Sequence, residues 1–439
     1  MEKVKLAVIG GGSSYAPELL DGVIRKWEKG EFQADEITLV DIPEGKDRLE
    51  TVAAFSRRMM AKRAMPCRIE TSLDRRKALD GASFVVSQIR VGGMKARWSD
   101  ERIPLKYGVV GQETTGPGGF ANALRTIPVS LEIARDIEEV APHAWLLNFS
   151  NPSGLVTEAL LRHSGVRTFG LCNVPIGMRM GIARILRVDP SRVSVDASGL
   201  NHLSFVTGIY LDGKDVSDRI FDSPLLALYL KVEKFSHEFA RYLRRLRAIP
   251  AGYLYYYWFA EKALKAEQND VASGKGTRAD EVMRVEKELF EVYSREESAG
   301  LPRALKKRGG AYYSDVALSC ISAIVRNVPA DEVLNVKNGG AVPGLEPDVA
   351  VEVSCMVDGR GPHALAQKPL PTEVLGLVQQ VKAYEKLTVK AAVDGDVESA
   401  FFALLNHPLV PGADAARAIL RDILEANKEH LPQFRGKGV

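Results

Sequence analysis

Two groups of residues in this chain are of types that take part in chemistry. Near the start, Gly10-Gly11-Gly12 follows an apolar run at residues 5–9, and glycines placed after a strand let the backbone approach a pyrophosphate. Farther along, Cys172 and His202 supply a thiol and an imidazole, which are ligands for divalent transition metals. Taken alone, such residues are more often a buried apolar thiol and a structural imidazole. Combined with the glycine turn, they favour an enzyme that moves a hydride and polarises substrate oxygens.

The glycine turn predicts a dinucleotide site. Gly10 and Gly12 give the G-x-G spacing, although Tyr15 stands where the third glycine is usually found. Asp41 ends the second predicted strand, where a carboxylate can accept a hydrogen bond from a ribose 2′-hydroxyl, which favours NAD over NADP. The alternative is a glycine-rich turn that binds no nucleotide. The position of the turn between the first strand and the first helix argues against that alternative.

Further polar residues lie where predicted strands end. Asn148 ends the predicted strand at 144–148, and Asn151 follows it closely. Ligands of open α/β sheets bind at the carboxyl ends of strands, so both residues are predicted to face the cofactor and substrate. Residues 111–120 are too glycine-rich for a helix or a regular strand, which predicts either an active-site loop or an ordinary surface loop. Arg97 and Arg278 are candidates for anion recognition or equally surface arginines. The predicted cofactor-binding residues are Gly10, Gly12, Ser13, Ser14, Tyr15, Asp41 and Asn148.

The elements that must position these residues change in character along the chain. Up to residue 171, short apolar strands alternate with amphipathic helices, which predicts a parallel sheet covered on both faces. Residues 172–439 mix paired strands with helices and predict an α+β domain, with the ligand cleft between the two domains. The clearest predicted strands are 5–9, 36–40, 83–89, 144–148 and 168–171, and the clearest helices are 17–29 and 131–140.

Composition narrows the class of protein. The 439 residues carry 59 basic and 56 acidic side chains, a net charge of +3, so neither nucleic acid nor an anionic membrane is an expected partner. The basic run 306–308 is interpreted as a solvated helix end. Four scattered cysteines indicate reduced thiols, and no apolar stretch reaches the ~20 residues of a membrane helix. We therefore expect a cytoplasmic protein.

Several long stretches resemble the NAD- and metal-dependent glycoside hydrolases of family 4, specifically their 6-phospho-β-glucosidases. The matching stretches lie in the first 260 or so residues, with Arg278 beyond them. They are Ile9-Gly10-Gly11-Gly12-Ser13-Ser14-Tyr15, residues 103–108 through Gly119-Phe120, residues 148–154, Cys172-Asn173-Val174-Pro175, Asn201-His202-Leu203-Ser204 and Tyr253-Leu254-Tyr255-Tyr256-Tyr257.

The resemblance implies a reaction that differs from two-carboxylate hydrolysis. NAD⁺ takes the hydride from C3 of a 6-phosphosugar, and a divalent metal, with Mn²⁺ preferred, binds the oxygens at C2 and C3. A tyrosinate then removes the C2 proton, the aglycone leaves from C1, water adds and the hydride returns. It also implies an α/β fold, with an N-terminal Rossmann-like parallel sheet and a C-terminal α+β domain like that of lactate and malate dehydrogenases. Homodimers or homotetramers are implied as well.

The resemblance also assigns roles to individual residues. Cys172 and His202 match the metal ligands, Tyr253 the base and Glu113 an acid that supports the base. Crowding by Tyr255, Tyr256 and Tyr257 leaves open which tyrosine of 253–257 is the base. The residues that match substrate-binding positions are Arg97, Asn151, Asn173 and Arg278.

Asn173 favours β-glycosides. In α-specific members of the family an aspartate follows the metal cysteine and can protonate the leaving group, whereas an amide cannot. The substrate is then a phosphorylated disaccharide or an aryl glycoside. Its gluco or galacto configuration and the need for the 6-phosphate stay open.

Two alternatives to this function are considered. One is a lactate- or malate-type dehydrogenase, which would use a His-Asp pair; no aspartate is clearly placed to partner His202. The other is a non-catalytic sensor of NAD and phosphosugar, which would need neither a metal thiol nor a base.

Overall fold

Short strands and amphipathic helices alternate through the first half of the molecule. The computed structural model describes residues 4–226, 237–309 and 312–438. The strands are β1 (Lys5–Ile9), β2 (Glu36–Val40), β3 (Arg68–Ser72), β4 (Phe84–Ser87), β5 (Trp145–Asn148), β6 (Arg167–Gly170), β7 (Val193–Leu200), β8 (Leu203–Leu211), β9 (Lys214–Asp215), β10 (Ile249–Pro250), β11 (Ala330–Lys337), β12 (Ala350–Asp358) and β13 (Gly361–Ala364).

Helices cover both faces of the sheet and fill much of the second half. No helix in the described ranges is both long and apolar enough to span a bilayer. The α-helices are α1 (Ala16–Glu28), α2 (Lys46–Lys62), α3 (Arg75–Leu79), α4 (Gly93–Leu105), α5 (Gly116–Val140), α6 (Ser153–His163), α7 (Asn173–Leu186), α8 (Ser217–Phe221), α9 (His237–Leu246), α10 (Leu254–Trp258), α11 (Ala260–Ala272), α12 (Arg278–Tyr293), α13 (Leu305–Arg308), α14 (Tyr313–Arg326), α15 (Thr372–Asp394), α16 (Val397–Asn406) and α17 (Ala413–Ala426).

Among the described residues, thirteen strands form one sheet. Six are parallel, in the order β6-β5-β4-β1-β2-β3, as the alternation of strands and helices predicts. The sheet then continues through antiparallel strands, β11-β12-β7-β8-β10. The two parts meet where Asn335 of β11 lies opposite Gly170 of β6. The predicted domain division at residue 171 thus falls where hydrogen bonding continues, and it stays a prediction.

Alternation along β1 explains the layers above and below the sheet. Leu6 and Val8 are fully buried in one apolar cluster, whereas Ala7 and Ile9 belong to the other. Successive side chains of a strand point to opposite faces. A strand that is apolar throughout therefore requires cover on both sides, which the helices supply.

The glycine-rich stretch at 111–120 differs from its prediction. Helix α5 begins at Gly116 and includes Gly118 and Gly119, so the expectation of a loop throughout is wrong for its second half. A β-carbon on Gly118 would lie 2.3 Å from the carbonyl oxygen of Gln112, and one on Gly119 would lie 2.6 Å from the carbonyl carbon of Thr114. Glycine is required here because the helix packs directly against the preceding loop.

Candidate active site

A cavity of about 1600 Å³ opens at the carboxyl ends of the parallel strands. It is lined by residues that follow β1, β2, β4 and β5, the end of the sheet at which ligands bind in open α/β folds. Residues of the second half complete the wall. The predicted site residues that line this cavity are Gly10, Gly12, Ser13, Tyr15, Asp41, Arg97, Glu113, Asn151, Asn173, His202, Tyr253 and Arg278.

The glycine turn is fixed against the end of β2. The N–H groups of Gly10 and Gly11 donate to the Val40 carbonyl at 2.9 and 2.8 Å, and Gly10 has a φ of 83°. The Gly12 N–H donates to Asp41 Oδ2 at 2.8 Å, and a β-carbon on Gly12 would lie 2.7 Å from the same oxygen. The turn is therefore a tight cradle that only glycine can build, which fits the close approach of a dinucleotide.

Two residues predicted to contact the cofactor lie outside this cavity. Ser14 is fully buried, and its hydroxyl donates to Glu286 Oε1 at 2.8 Å. Asn148 is also fully buried; its amide donates to Thr157 Oγ1 at 3.1 Å and accepts from the Ser150 N–H at 3.0 Å. These side chains hold the turns around the site, and their contact with a cofactor stays a prediction.

The predicted metal ligands occupy two different local structures. Cys172 is the N-terminal capping residue of α7, and its Sγ accepts from the Val174 N–H at 3.5 Å. His202 lies in the two-residue turn between β7 and β8 with a φ of 65°. His202 and Asn173 line the cavity. Cys172 is only 2% exposed and does not line it.

Burial shifts the pKa values of these two groups in opposite directions, because it favours the neutral form of each. Burial lowers the pKa of His202 to about 4, so its ring is neutral near pH 7 and has a lone pair for a metal. Burial, with a further contribution from Glu352, raises the pKa of the Cys172 thiol, which must release its proton when a metal binds. A thiol and a neutral imidazole are donors that fit a divalent transition metal. Within the described ranges, no place gathers three or more Cys, His, Asp or Glu residues that could hold a metal.

Tyr253 stacks on His202. Their ring centroids are 3.9 Å apart and the ring planes differ by 4°. Burial raises the pKa of the Tyr253 phenol, and Tyr256 and Glu113 raise it further. Tyr255 and Tyr256 also line the cavity, whereas Tyr257 stacks on His407. Of the four crowded tyrosines, Tyr253 is therefore the one that stacks on the predicted metal ligand.

Glu113 is held between two arginines. Its Oε2 lies 2.7 Å from Arg90 Nη2, and its Oε1 lies 3.1 Å from Arg97 Nη2. Burial alone would raise the pKa of the Glu113 carboxyl, but Arg90, Arg97 and Arg308 together lower it to about 2. Glu113 is therefore an ionised carboxylate at the cavity wall.

The two predicted anion-binding arginines differ in exposure. Arg97 is 3% exposed and also pairs with Glu101 at 2.8 Å, so two carboxylates already meet its guanidinium. Arg278 is the first residue of α12; its side chain is 43% exposed, donates to the Lys307 carbonyl at 2.7 Å and pairs with Glu281 at 2.6 Å. Arg278 is the more accessible of the two to an incoming anion.

Sequence reasoning missed several residues of the cavity wall, among them Arg90, Arg308 and Tyr313. The solvated-helix interpretation is wrong for Arg308, whose side chain is 16% exposed, pairs with Glu286 at 3.2 Å and lines the cavity. Tyr313 lines the cavity, and its ring lies edge-on to Phe149 at 4.9 Å. Arg308 was hidden in a run of three basic residues whose other two are exposed. Tyr313 lies beyond the stretches that carry the resemblance, where no signal marked it.

Models of known families match both halves of the chain. The model described as "Family 4 glycosyl hydrolase" matches residues 5–188, and the model of the family's C-terminal domain matches residues 197–410. The chain belongs to family 4 of the glycosyl hydrolases. The family expected from the sequence is thus confirmed.

Individual relatives are similar over nearly the whole chain. A protein of Bacillus subtilis (strain 168) named "Probable 6-phospho-beta-glucosidase" is 48% identical over 438 residues, which is 99% of this chain and 98% of the relative. A 6-phospho-β-glucosidase of Thermotoga maritima, solved with manganese, NAD⁺ and glucose-6-phosphate, is 37% identical with a TM-score of 0.88, covering 97% of this chain and 99% of that one.

A more distant likeness confirms the predicted fold class. Malate dehydrogenase of Cryptosporidium parvum is 14% identical with a TM-score of 0.54, over 89% of this chain and 99% of that one. At this identity the likeness concerns the fold alone. The expected combination of a Rossmann-like sheet with a dehydrogenase-like second half is therefore confirmed.

Proposed function

We propose that this protein hydrolyses 6-phospho-β-glucosides with the help of NAD and a divalent metal, Mn²⁺. The observation that carries the proposal is one cavity that joins the glycine cradle to the stacked pair of His202 and Tyr253. The names of the similar proteins from Bacillus subtilis and Thermotoga maritima support the substrate class, and the Thermotoga structure supports the two cofactors.

The residues present fit both groups. Gly10 and Gly12 leave the backbone open to a pyrophosphate, and Cys172 with His202 supplies a thiol and an imidazole for the metal. When bound, NAD supplies hydride transfer at C3 of the sugar, and the metal supplies Lewis-acid polarisation of the neighbouring oxygens.

Tyr253 is the proposed base that takes the proton from C2. Burial, with Tyr256 and the ionised Glu113, raises the pKa of its phenol, so the phenol holds its proton near pH 7 when no metal is bound. A bound metal cation would lower this pKa and so supply the tyrosinate. Arg90 and Arg97 keep Glu113 charged by meeting one oxygen each. We propose that Glu113 supports the base through its effect on the Tyr253 pKa.

The substrate-binding residues are proposed as a set around this base. Arg278, at the accessible start of α12, binds the 6-phosphate, and Arg97 forms the wall beside Glu113. Asn151 and Asn173 face the cavity from the ends of β5 and β6. Because the Asn173 amide cannot protonate a leaving group, we propose β-glycosides as substrates.

The test is a screen of chromogenic α- and β-glycosides, each with and without the 6-phosphate. We expect release of the chromophore from a β-linked 6-phosphate when NAD and Mn²⁺ are both added, with no accumulation of NADH. Net NADH formation would instead indicate a dehydrogenase, and equal cleavage after removal of all dinucleotide would overturn the proposal.

Three further points are proposed with the function. The protein acts in the cytoplasm, it does not bind nucleic acid, and it assembles as a homodimer or homotetramer. Residues 1–171 are proposed as the NAD-binding domain and residues 172–439 as the substrate and metal domain. Sedimentation analysis of the purified protein checks the assembly.

A further inference from the structure

A buried carboxyl group lies directly behind the turn that carries His202. Glu352 is fully buried on β12, opposite Gly199 of β7. Its Oε2 accepts from the Ser204 hydroxyl at 2.7 Å, and its Oε1 accepts from the Asn201 amide at 3.0 Å. One carboxyl group therefore joins the residue before His202 to the residue two places after it.

Asn201 extends this connection to the helix that follows Asn151. Its Oδ1 accepts from the Gly154 N–H at 3.2 Å, in the first turn of α6. Glu352 thus reaches the turn that bears His202 directly, and it reaches the start of α6 through the Asn201 amide.

The backbone of His202 needs such support. Its φ of 65° lies in the left-handed region, which a residue with a β-carbon adopts only when its surroundings hold it there. Within this hairpin the strands are antiparallel and end at Leu200 and Leu203, so the turn has two residues and little slack. The bonds from Glu352 to both sides of the turn fix that conformation.

We infer that Glu352 is a positioning residue for the metal, holding the turn that bears the His202 imidazole in the conformation that the proposed metal site uses. The inference rests on the proposed function. Groups that orient metal ligands without touching the metal commonly contribute about 10–100-fold to metal affinity. An apolar residue would fill the same space, but it could not bond Asn201 and Ser204.

The test compares Mn²⁺ binding among variants by electron paramagnetic resonance of free Mn²⁺, with NAD and glucose 6-phosphate present. We expect Glu352→Ala to bind Mn²⁺ about 10–100-fold more weakly. Glu352→Gln and Ser204→Ala each keep part of the hydrogen bonding and should show smaller losses. Turnover of Glu352→Ala should recover as Mn²⁺ is raised to saturation, which a general loss of structure would not allow.

The matched control is Glu332→Gln. Glu332 is a buried carboxyl group on the adjacent strand β11, near Arg179 at 3.7 Å and away from the hairpin turn. We expect this control to bind Mn²⁺ like the parent, and NAD affinity to be the same in all variants.

Two results have separate meanings. Parental Mn²⁺ affinity in Glu352→Ala, or in both Glu352→Gln and Ser204→Ala if the alanine variant does not fold, would overturn the role of Glu352. Parental Mn²⁺ binding in Cys172→Ser would instead overturn the metal site of the proposed function itself.

Discussion

At the scale of single residues, Cys172 is the residue whose replacement should affect the proposed metal site and leave NAD binding unchanged. Cys172 caps α7 and is almost fully buried. The glycine turn that is proposed to bind NAD lies elsewhere, after β1. We expect Cys172→Ser to lose turnover of an aryl 6-phospho-β-glucoside because the proposed thiolate ligand is removed, whereas NAD binding persists. Activity assays and NAD titration of one preparation check both parts.

Cys67→Ser provides the control for this change, because Cys67 is a half-buried thiol in the loop before β3. Its activity should equal that of the parent. Full activity of Cys172→Ser in strictly metal-free buffer would remove the metal from the mechanism.

The stacked phenol of Tyr253 carries a second prediction at this scale. Tyr253→Phe keeps the ring over His202 but removes the hydroxyl proposed to take the proton. The exchange of the C2 hydrogen with solvent deuterium should fall by about 10²–10⁴-fold. Nuclear magnetic resonance of the sugar measures this exchange.

Tyr257→Phe should exchange like the parent, since Tyr257 packs against His407 away from the cavity wall. Tyr256→Phe tests the neighbour that does line the cavity. Exchange at the parental rate in Tyr253→Phe, with loss in Tyr256→Phe, would move the base to Tyr256.

At the scale of elements, the turn between β1 and α1 requires glycine at a position where any β-carbon would clash. In Gly12→Ala the new β-carbon would lie 2.7 Å from Asp41 Oδ2 and 3.1 Å from the Leu49 nitrogen. Asp41 would have to move, and its bond from the Gly12 N–H would be disturbed. We expect NAD affinity to fall about tenfold or more, a loss of at least 1.4 kcal/mol.

Calorimetric titration with NAD measures this loss, and Gly376→Ala is its control. Gly376 lies within α15, and a β-carbon there meets nothing within 4 Å. This control should bind NAD normally and gain slight stability from better helix propensity. Normal NAD affinity in Gly12→Ala would show that the cofactor does not use this turn.

Helices and strands with a clear period of hydrophobic residues were predicted well, and those whose bounds depend on tertiary packing were not. Strands β1 and β2 have the predicted bounds, 5–9 and 36–40, because each is mainly apolar after its first residue. Strand β3 escaped prediction because it is the last strand of the sheet and buries only Ile69 fully. The start of α5 at Gly116 escaped because its glycines are explained by contact with the preceding loop, which no local pattern records.

The site residues also fall into two groups, those that a local sequence pattern predicts and those that depend on tertiary contacts. The cluster of Gly10, Gly12, His202 and Tyr253 was predicted because short sequence stretches identify it. Arg308 was not predicted, because its burial depends on Glu286, a partner 22 residues away in sequence. A run of basic residues predicts exposed side chains. Only the fold shows that one of them is buried beside an opposite charge.

At the scale of the whole molecule, buried histidines make stability depend on pH. Burial lowers the pKa of His407 to about 3, from 6.5 in the unfolded chain. Between these two pH values the imidazole binds a proton in the unfolded state but not in the folded state. The free energy of unfolding therefore falls as the pH drops below about 6.5. Between pH 7 and pH 5, His407 alone should cost about 2 kcal/mol.

Urea unfolding of the parent and His407→Phe at the two pH values checks this sign. His407 stacks on Tyr257 and lies edge-on to Tyr384, so phenylalanine keeps the aromatic packing. The variant should lose less stability between pH 7 and pH 5 than the parent does. An equal loss in both proteins would assign the acid sensitivity to other groups.

The junction of Gly170 with Asn335 joins the two parts of the active site in one sheet. A β-carbon on Gly170 would lie 2.1 Å from Thr157 Oγ1 and 2.9 Å from the Asn335 β-carbon, so only glycine fits where the parallel and antiparallel strands meet. The glycine turn after β1 and the hairpin bearing His202 therefore belong to a single sheet and line the same cavity. If the sugar is oxidised and reduced again as proposed, one sheet would carry the residues for both steps.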